Sequence, residues 1–353
     1  MFIVSDIILR FIKTNQFQVV SDGDLDAVFA TGLLIRALLA LGRSDILNGS
    51  LYFPRAREIR GQTISNKILI ELGPNRGVIL RGNNLLIDHH PDDPRLVLYN
   101  DDRVVLTRKY QINVSVAGLI NYIFGEKLAA PSDLIRAVDE ADFKNYIIDQ
   151  AKNITRAFLI SRNMPDEAIK NQLLEKLHVD NMPAGNIIDF LTEQLQSNFI
   201  YGFLPLAIIL DNWDAIYNWI ELEVQRYEKE VSPVVRKLYN RSKIRNKIAY
   251  IIYDYGNLKK RTGIEEAIYA LETENTVAFS VGITTRGFLV RVTTLDPSLN
   301  LNKLCRFFKR FGIDCSGSEK YVFLYFPHKK FDLKSILGLL LNILDRISSE
   351  YTF

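Results

Sequence analysis

Cysteine is scarce. Cys305 and Cys315 are the two in a chain of 353 residues, and neither belongs to a CxxC pair. That argues against a disulfide framework or a zinc ribbon and fits a reducing cytoplasm. Charge of one sign is lacking too. A formal net charge of +3 is too small to mark a nucleic-acid partner, so any basic binding surface has to be local. No run approaches the roughly 18 uninterrupted apolar residues of a membrane span. The apolar N-terminus is broken by Asp6, Arg10 and Lys13, which reads as an amphipathic first helix rather than a signal peptide. Internal repeats and low-complexity tracts are absent. These absences lead to the expectation of a cytoplasmic protein without a membrane partner, long enough for two or three domains.

What is present is organised in three stretches. Residues 1–145 alternate strand and helix signals. FQVVS (17–21) reads as a buried strand and VFATGLLIRALLALG (28–42) as a helix stopped by Gly42. KILIEL (67–72), GVIL (77–80) and NLLI (84–87) are short apolar runs, and 114–125 and 130–142 read as helices. That alternation predicts an α/β fold with a mostly parallel sheet covered on both faces. Residues 146–245 carry apolar residues at helical spacing with almost no strand signal, which predicts a helical insert or linker. Within it, Ile188, Phe190, Leu191, Leu195, Trp213 and Trp219 are core candidates, with a partner surface as the alternative. Strand and helix signals return over 246–353, a smaller second α/β domain.

Three patterns carry chemistry. In Ser21-Asp22-Gly23-Asp24-Leu25-Asp26-Ala27, carboxylates recur at every second position between a strand and a helix. Open α/β sheets place ligands at that edge, and hard cations such as Mg²⁺ or Mn²⁺ take carboxylate oxygen. The alternative is a solvated acidic turn with Asp26 as helix N-cap. In Leu86-Ile87-Asp88-His89-His90-Pro91, two of the four histidines adjoin an aspartate at a second strand end. Imidazole beside carboxylate favours Mn²⁺ over Mg²⁺. The third pattern is the acidic helix 133–143, which can supply a further carboxylate or present ordinary solvated acids.

SDGDLDA followed by IDHHP resembles the DHH phosphoesterase superfamily, most closely its RecJ-like branch. The resemblance implies a DHH domain over 1–145, the helical segment 146–245, and a DHH-associated domain over 246–353. It implies metal ligation by Asp22, Asp24, Asp26, Glu71, Asp88, His89 and Asp142, with Asp88, His89 and His90 as the catalytic signature and up to two Mn²⁺ or Mg²⁺ ions. The helix start 115–118 also matches. Glu71 stands where the family has Asp, and Ala27 where it has Gly. The second domain's Gly-rich, His-containing substrate loop is missing; the matching stretch 312–320 contains Asp314 and Glu319 instead. Arg291 resembles that domain's basic strand residue.

Lys259, Lys260 and Arg261, after Tyr253 and Tyr255, are further candidates for a single strand held by charge and stacking. The alternative is a solvated turn. In 306–311, Phe307, Phe308 and Phe311 read as core, with Arg306, Lys309 and Arg310 solvated; the alternative is the same contact with a single strand by charge and stacking. The resemblance implies two functions. One is a replication-associated subunit that binds single-stranded DNA, partners GINS and the MCM helicase, and has weak or no nuclease activity. The other is an active Mn²⁺-dependent single-strand exonuclease. A phosphodiesterase for short oligonucleotides or signalling dinucleotides is a third reading.

Overall fold

The buried run at 17–21 opens the architecture. A computed structural model describes residues 5–349 apart from 55, 90–93, 145, 163–164, 166, 178–181, 297 and 318–319. In it this run is β1 (Gln18–Ser21), preceded by α1 (Ser5–Thr14) and followed by α2 (Leu25–Ala40). α2, with the sequence LDAVFATGLLIRALLA, is apolar around most of its circumference and is accordingly buried on nearly every side. Next come β2 (Ser50–Tyr52), α3 (Ala56–Ile59), β3 (Thr63–Ser65), β4 (Ile68–Ile70), β5 (Ile79–Arg81), β6 (Asn83–Asp88), β7 (Arg95–Asn100) and β8 (Arg103–Lys109). The helices α4 (Val116–Leu128), α5 (Ser132–Asp142), α6 (Asp149–Ser161), α7 (Glu167–Leu177), α8 (Asn186–Ser197), α9 (Phe199–Ile209) and α10 (Trp213–Glu230) follow.

The first sheet has the order β2-β1-β4-β6-β7-β8, parallel through β6 and antiparallel beyond it. Because side chains alternate along a strand, the register sorts them to two faces. Val19, Ile68, Leu85 and Ile87 join the helical core, whereas Val20, Leu69 and Leu86 join a smaller core with Ile64, Val78 and Leu80. The sheet is thus covered on both faces, as expected of buried parallel strands. One cover is helical. The other is contributed by the separate two-stranded β3–β5 pair, so the apolar run at 77–80 belongs to that cover and not to the main sheet.

The chain divides into two compact units, Met1–Gln225 and Arg226–Phe353, the boundary falling inside α10. Helices α6–α9 share the first unit's core. Ile188, Leu191, Leu195 and Trp219 are buried there, and Phe190 and Trp213 pack partly buried against it. The α2–α9 crossing is close: a Cβ on Gly32 would meet Ile208 at 3.0 Å and the Pro205 backbone at 3.2 Å. Burying one Leu or Ile side chain contributes about 1.5–3 kcal/mol. Truncating Leu34, fully buried in α2, should cost about 2–5 kcal/mol.

The second unit contains α11 (Ser232–Asn240), β9 (Lys243–Arg245), β10 (Ile248–Asp254), α12 (Leu258–Glu272), β11 (Val277–Ile283), β12 (Gly287–Thr293), α13 (Asn302–Arg310), β13 (Asp314–Gly317), β14 (Tyr321–Pro327) and α14 (Leu333–Ser349). Its sheet runs β13-β14-β12-β11-β10-β9, with β10 and β11 parallel and the other pairs antiparallel. Two sequence expectations are corrected here. Phe308 is core, but Phe307 and Phe311 are 37% and 65% exposed. The helical repeat puts Leu304, Cys305 and Phe308 on the inner face and turns Phe307 and Phe311 away. The cysteines, expected to be reduced, form a disulfide between α13 and β13. The helix ends at Gly312, whose φ of +69° reverses the chain and brings the two Cα atoms to 5.5 Å, within bonding range. Among the described residues no helix is long and apolar enough to cross a membrane.

Candidate metal centre

Strands β1, β4 and β6 are parallel and end at one edge. Asp22 N–H donates to the Ile70 carbonyl (3.1 Å) and Glu71 N–H to the Ile87 carbonyl (3.0 Å), so the three motif segments are laced together where their ladders stop. The β1–α2 turn is held from inside. Thr31 Oγ1 donates to Ser21 Oγ (2.9 Å), and Ser21 Oγ donates to the Ala27 carbonyl (3.1 Å). Asp24, not Asp26, caps α2: its Oδ1 accepts from Ala27 N–H at 3.0 Å. The every-second-residue spacing leaves Asp26 inside the first turn. There its two oxygens accept the backbone N–H groups of Val116 (2.7 Å) and Ala117 (2.8 Å) at the start of α4. A helix N-terminus favours negative charge, and this contact orients Asp26.

Glu71 is buried at a φ of +60°, a left-handed conformation that costs a non-glycine residue of order 1 kcal/mol. His89 Nε2 lies 2.9 Å from Glu71 Oε1 and 3.2 Å from Asp142 Oδ2, and its ring meets Phe143 edge-on at 5.6 Å. Asp88 is buried, with Arg95 4.0 Å away. Donor atoms of Asp26, His89 and Asp142 all lie within 4.8 Å of one another, a group that could hold a metal ion.

The charges are mutually unfavourable without a cation. Burial, and then the charges of Asp24, Asp26, Asp142 and Asp88, push the Glu71 carboxyl well above its ordinary range. Burial with Asp26 and Asp24 nearby pushes Asp142 up to about 9. Asp24 is raised by burial and by Asp26, against the Ala27 N–H, Arg162 and a hydrogen bond with Glu71. Asp22 is raised by burial and by Asp24, against the Gly23 N–H, Arg76 and Arg162. Burial lifts Asp139 to about 6, against hydrogen bonds from Ser115. Carboxylates and one imidazole crowded into a desolvated space suit a hard or borderline divalent cation, whose charge would offset their repulsion.

The structure therefore brings Asp24, Asp26, Glu71, Asp88, His89 and Asp142 together, with Asp22 at the rim. His90 lies outside the described residues. Arg291, Lys259, Lys260 and Arg261 belong to the second unit. Arg291 is nine-tenths buried, pairs with Glu265 at 2.9 Å and stands over Phe323. Lys259 pairs with Glu230 at 3.3 Å, and Arg261 stacks on Tyr255. Lys260 lies in the first turn of α12. In the substrate-loop stretch, 314–317 form β13, and Glu319 lies outside the described residues.

Sequence reading missed several contributors. Arg76 reaches within 3.9 Å of Asp22. Arg162 Nη2 (3.2 Å) and Tyr201 Oη (3.0 Å) both donate to the Gly23 carbonyl. Asp139 accepts from Ser115 N–H at 2.9 Å; being three residues before Asp142, it shares that helix face, a spacing the sequence did contain. Beside Asp22 and Asp24 opens a cavity of about 600 Å³ whose lining includes Tyr52, Phe53, Arg162, Phe190 and Tyr201.

No protein-family profile matches the chain, and no curated protein matches it. Among solved structures, the chain is similar to a pGpG-specific phosphodiesterase from Vibrio (12% identity, 94% of this chain and 99% of that one, TM-score 0.48). It is also similar to Mn²⁺-bound RecJ from Thermus thermophilus (14%, 91% and 51%, TM-score 0.46) and to CDC45 from Entamoeba histolytica (10%, 94% and 96%, TM-score 0.41).

Proposed function

We propose that the chain is a divalent-metal phosphodiesterase of the DHH kind, acting on single-stranded nucleic acid. The observation that carries this reading is the convergence of Asp26, His89 and Asp142 donor atoms within 4.8 Å in a pocket of raised carboxylates at the ends of parallel strands.

Asp26, His89 and Asp142 would hold one ion, and Asp22, Asp24, Glu71 and Asp88 would complete a site for up to two Mn²⁺ or Mg²⁺. When bound, such ions supply Lewis-acid polarisation of the phosphodiester. The chain's own groups do the rest. Asp26, locked onto the α4 N-terminus, has its carboxylate fixed in direction. Glu71, its carboxyl raised by burial and by Asp24, Asp26, Asp142 and Asp88, is hydrogen-bonded to Asp24 and would be a further donor to a cation. Arg76, its side chain 40% exposed, and Arg162 present guanidinium groups near Asp22 that can take phosphate oxygens in paired hydrogen bonds.

The test is hydrolysis of 5′-labelled and 3′-labelled single strands with Mn²⁺, beside Asp88→Ala. Metal-dependent shortening that disappears in the variant is expected. Undiminished cleavage by Asp88→Ala would end the metal-centre reading.

A second reading has its own support. Arg291 is paired with Glu265 and Lys259 with Glu230, so two of the second unit's four candidate nucleic-acid cations are already engaged and its grip on a substrate is weakened. That favours a replication-associated subunit with little turnover, binding single-stranded DNA beside GINS and the MCM helicase. Its signature would be a folded, Mn²⁺-binding protein that cleaves neither labelled strand and retains GINS or MCM in a pull-down.

A further inference from the structure

The cavity beside the acidic loop has a chemistry that the metal centre does not use. Its volume of about 600 Å³ lies within the roughly 300–1,000 Å³ of small-molecule sites. Aromatic rings come to it from separate elements: Tyr52 ends β2, Phe53 follows it, Phe190 comes from α8 and Tyr201 from α9. Phe53 and Tyr201 are stacked on each other, centroids 5.4 Å apart and planes at 21°. Tyr52 remains 44% exposed.

Two amides, Gln194 and Asn198, also line the space. Asn198 Nδ2 donates to Gln194 Oε1 at 3.0 Å. Among the hydrogen bonds of the described residues, the Gln194 Nε2 donors and the Asn198 Oδ1 acceptor are uncommitted. Donor and acceptor side by side match the edge of a nucleobase. Carboxylates at Asp22, Asp24 and Glu58 border the same space. Away from Arg162, which also lines the space, they oppose entry of a phosphate and leave a flat, neutral ring as the favoured occupant of the aromatic part.

We propose that this cavity is a nucleobase subsite, holding the base of the nucleotide whose phosphodiester lies at the carboxylate cluster. The proposal rests on the phosphodiesterase reading for that last clause. The two sites share a wall. Tyr201 Oη and Arg162 Nη2 both donate to the Gly23 carbonyl, between Asp22 and Asp24. A Cβ at Gly23 would meet Tyr201 Oη at 2.9 Å, so the ring can rest on the loop because residue 23 has no side chain. The base is thereby held at a set distance from the scissile phosphate, which is how remote binding energy becomes alignment at the reacting atoms.

The test is calorimetric binding by the full-length protein, with Ca²⁺ replacing Mn²⁺ to slow turnover. The probes are a deoxydinucleotide, its analogue with abasic sugars, and a longer oligonucleotide. Stacking on an aromatic side chain predicts that the base-bearing dinucleotide binds about tenfold tighter than the abasic one. Phe190→Ala and, separately, Gln194→Ala should collapse that ratio, the second variant guarding against a packing defect in the first. Equal binding of both dinucleotides by the wild type, or a ratio unmoved in both variants, overturns the subsite. A dinucleotide that binds as tightly as the longer strand points to short substrates, and a large gain with length points to polymers; either agrees with the subsite. Mn²⁺-dependent hydrolysis without base preference removes the subsite alone. Base preference without any hydrolysis removes the phosphodiesterase reading and leaves the subsite standing.

Discussion

The two units treat charge in opposite ways. In the first, Asp24, Asp26, Glu71, Asp88 and Asp142 are gathered at the ends of parallel strands, and burial and mutual repulsion lift the Glu71 and Asp142 carboxyls far above their ordinary range. In the second, Arg291 has Glu265 and Phe323, Lys259 has Glu230, and Arg261 has Tyr255. Acids that burial and mutual repulsion raise are suited to a charge from outside. Cations already paired within their unit hold its own fold together. The contrast teaches that residue type alone does not make a site: the acids of the first unit are functional candidates because burial and shared charge raise their carboxyls, and Arg291, Lys259 and Arg261 are weaker ones because each already has a partner within its unit.

The sharpest way to break the comparison is to remove a donor from the first cluster. Asp142→Asn should lower Mn²⁺-dependent hydrolysis on the order of a thousandfold, several kcal/mol of transition-state stabilisation, with the fold intact by circular dichroism. Activity within a few fold of wild type would show that Asp142 is not a donor.

The next largest effect concerns pH. For a carboxyl raised in the folded state, the folded protein binds the proton more tightly than the unfolded chain. The stability it contributes is present below the unfolded value and is lost as pH rises through the folded one. In EDTA, the melting temperature should therefore fall as pH climbs from about 4 through 6, where Asp139 titrates, and on towards 9, where Asp142 does. Mn²⁺ should reverse the loss, most strongly at the alkaline end. A metal-free melting temperature that rises over this range would contradict the electrostatic picture of the cluster.

The second unit should respond as a structure and not as a site. Replacing Cys305 and Cys315 together by Ser removes the cross-link and should cost about 2–3 kcal/mol in denaturant unfolding. Smaller still, Arg291→Ala should cost about 1 kcal/mol, since Glu265 is 42% exposed and the pair is screened. It should change single-strand affinity less than twofold. A tenfold loss of affinity would restore Arg291 as a nucleic-acid contact and erase the contrast between the units.

Much of this was legible beforehand, for physical reasons particular to each element. β1, β4 and β6 are buried on both faces and so read as continuous apolar runs; α2 is apolar all round. The β7–β8 hairpin was not legible. β8 is exposed at every residue, which leaves its side-chain alternation without a core to report, and the hairpin turns at Asp101, a non-glycine residue at φ +54°. In the site, Asp22, Asp24, Asp26, Asp88 and His89 stood out because they fall at strand ends, whereas Glu71 and Asp142 came only from the family resemblance. The alternative of Asp26 as N-cap fails, Asp24 being the cap, because spacing does not distinguish the residue before a helix from one inside its first turn. Arg162 and Tyr201 left no local signal: they are brought to Gly23 by folding alone, from helices far along the chain.

That separation has a consequence for the protein while it is being made. Tyr201 lies 178 residues beyond Gly23. At a translation rate of about 5–20 residues per second, roughly ten to thirty-five seconds pass between the synthesis of the acidic loop and that of the hydroxyl that holds it. During that interval the nascent chain already carries Asp22, Asp24 and Asp26, and later the Asp88–His89 strand, without the helices that cover the cavity. The acids come off the ribosome before the clasp, so the early loop lacks the hydroxyl that holds it in the finished fold.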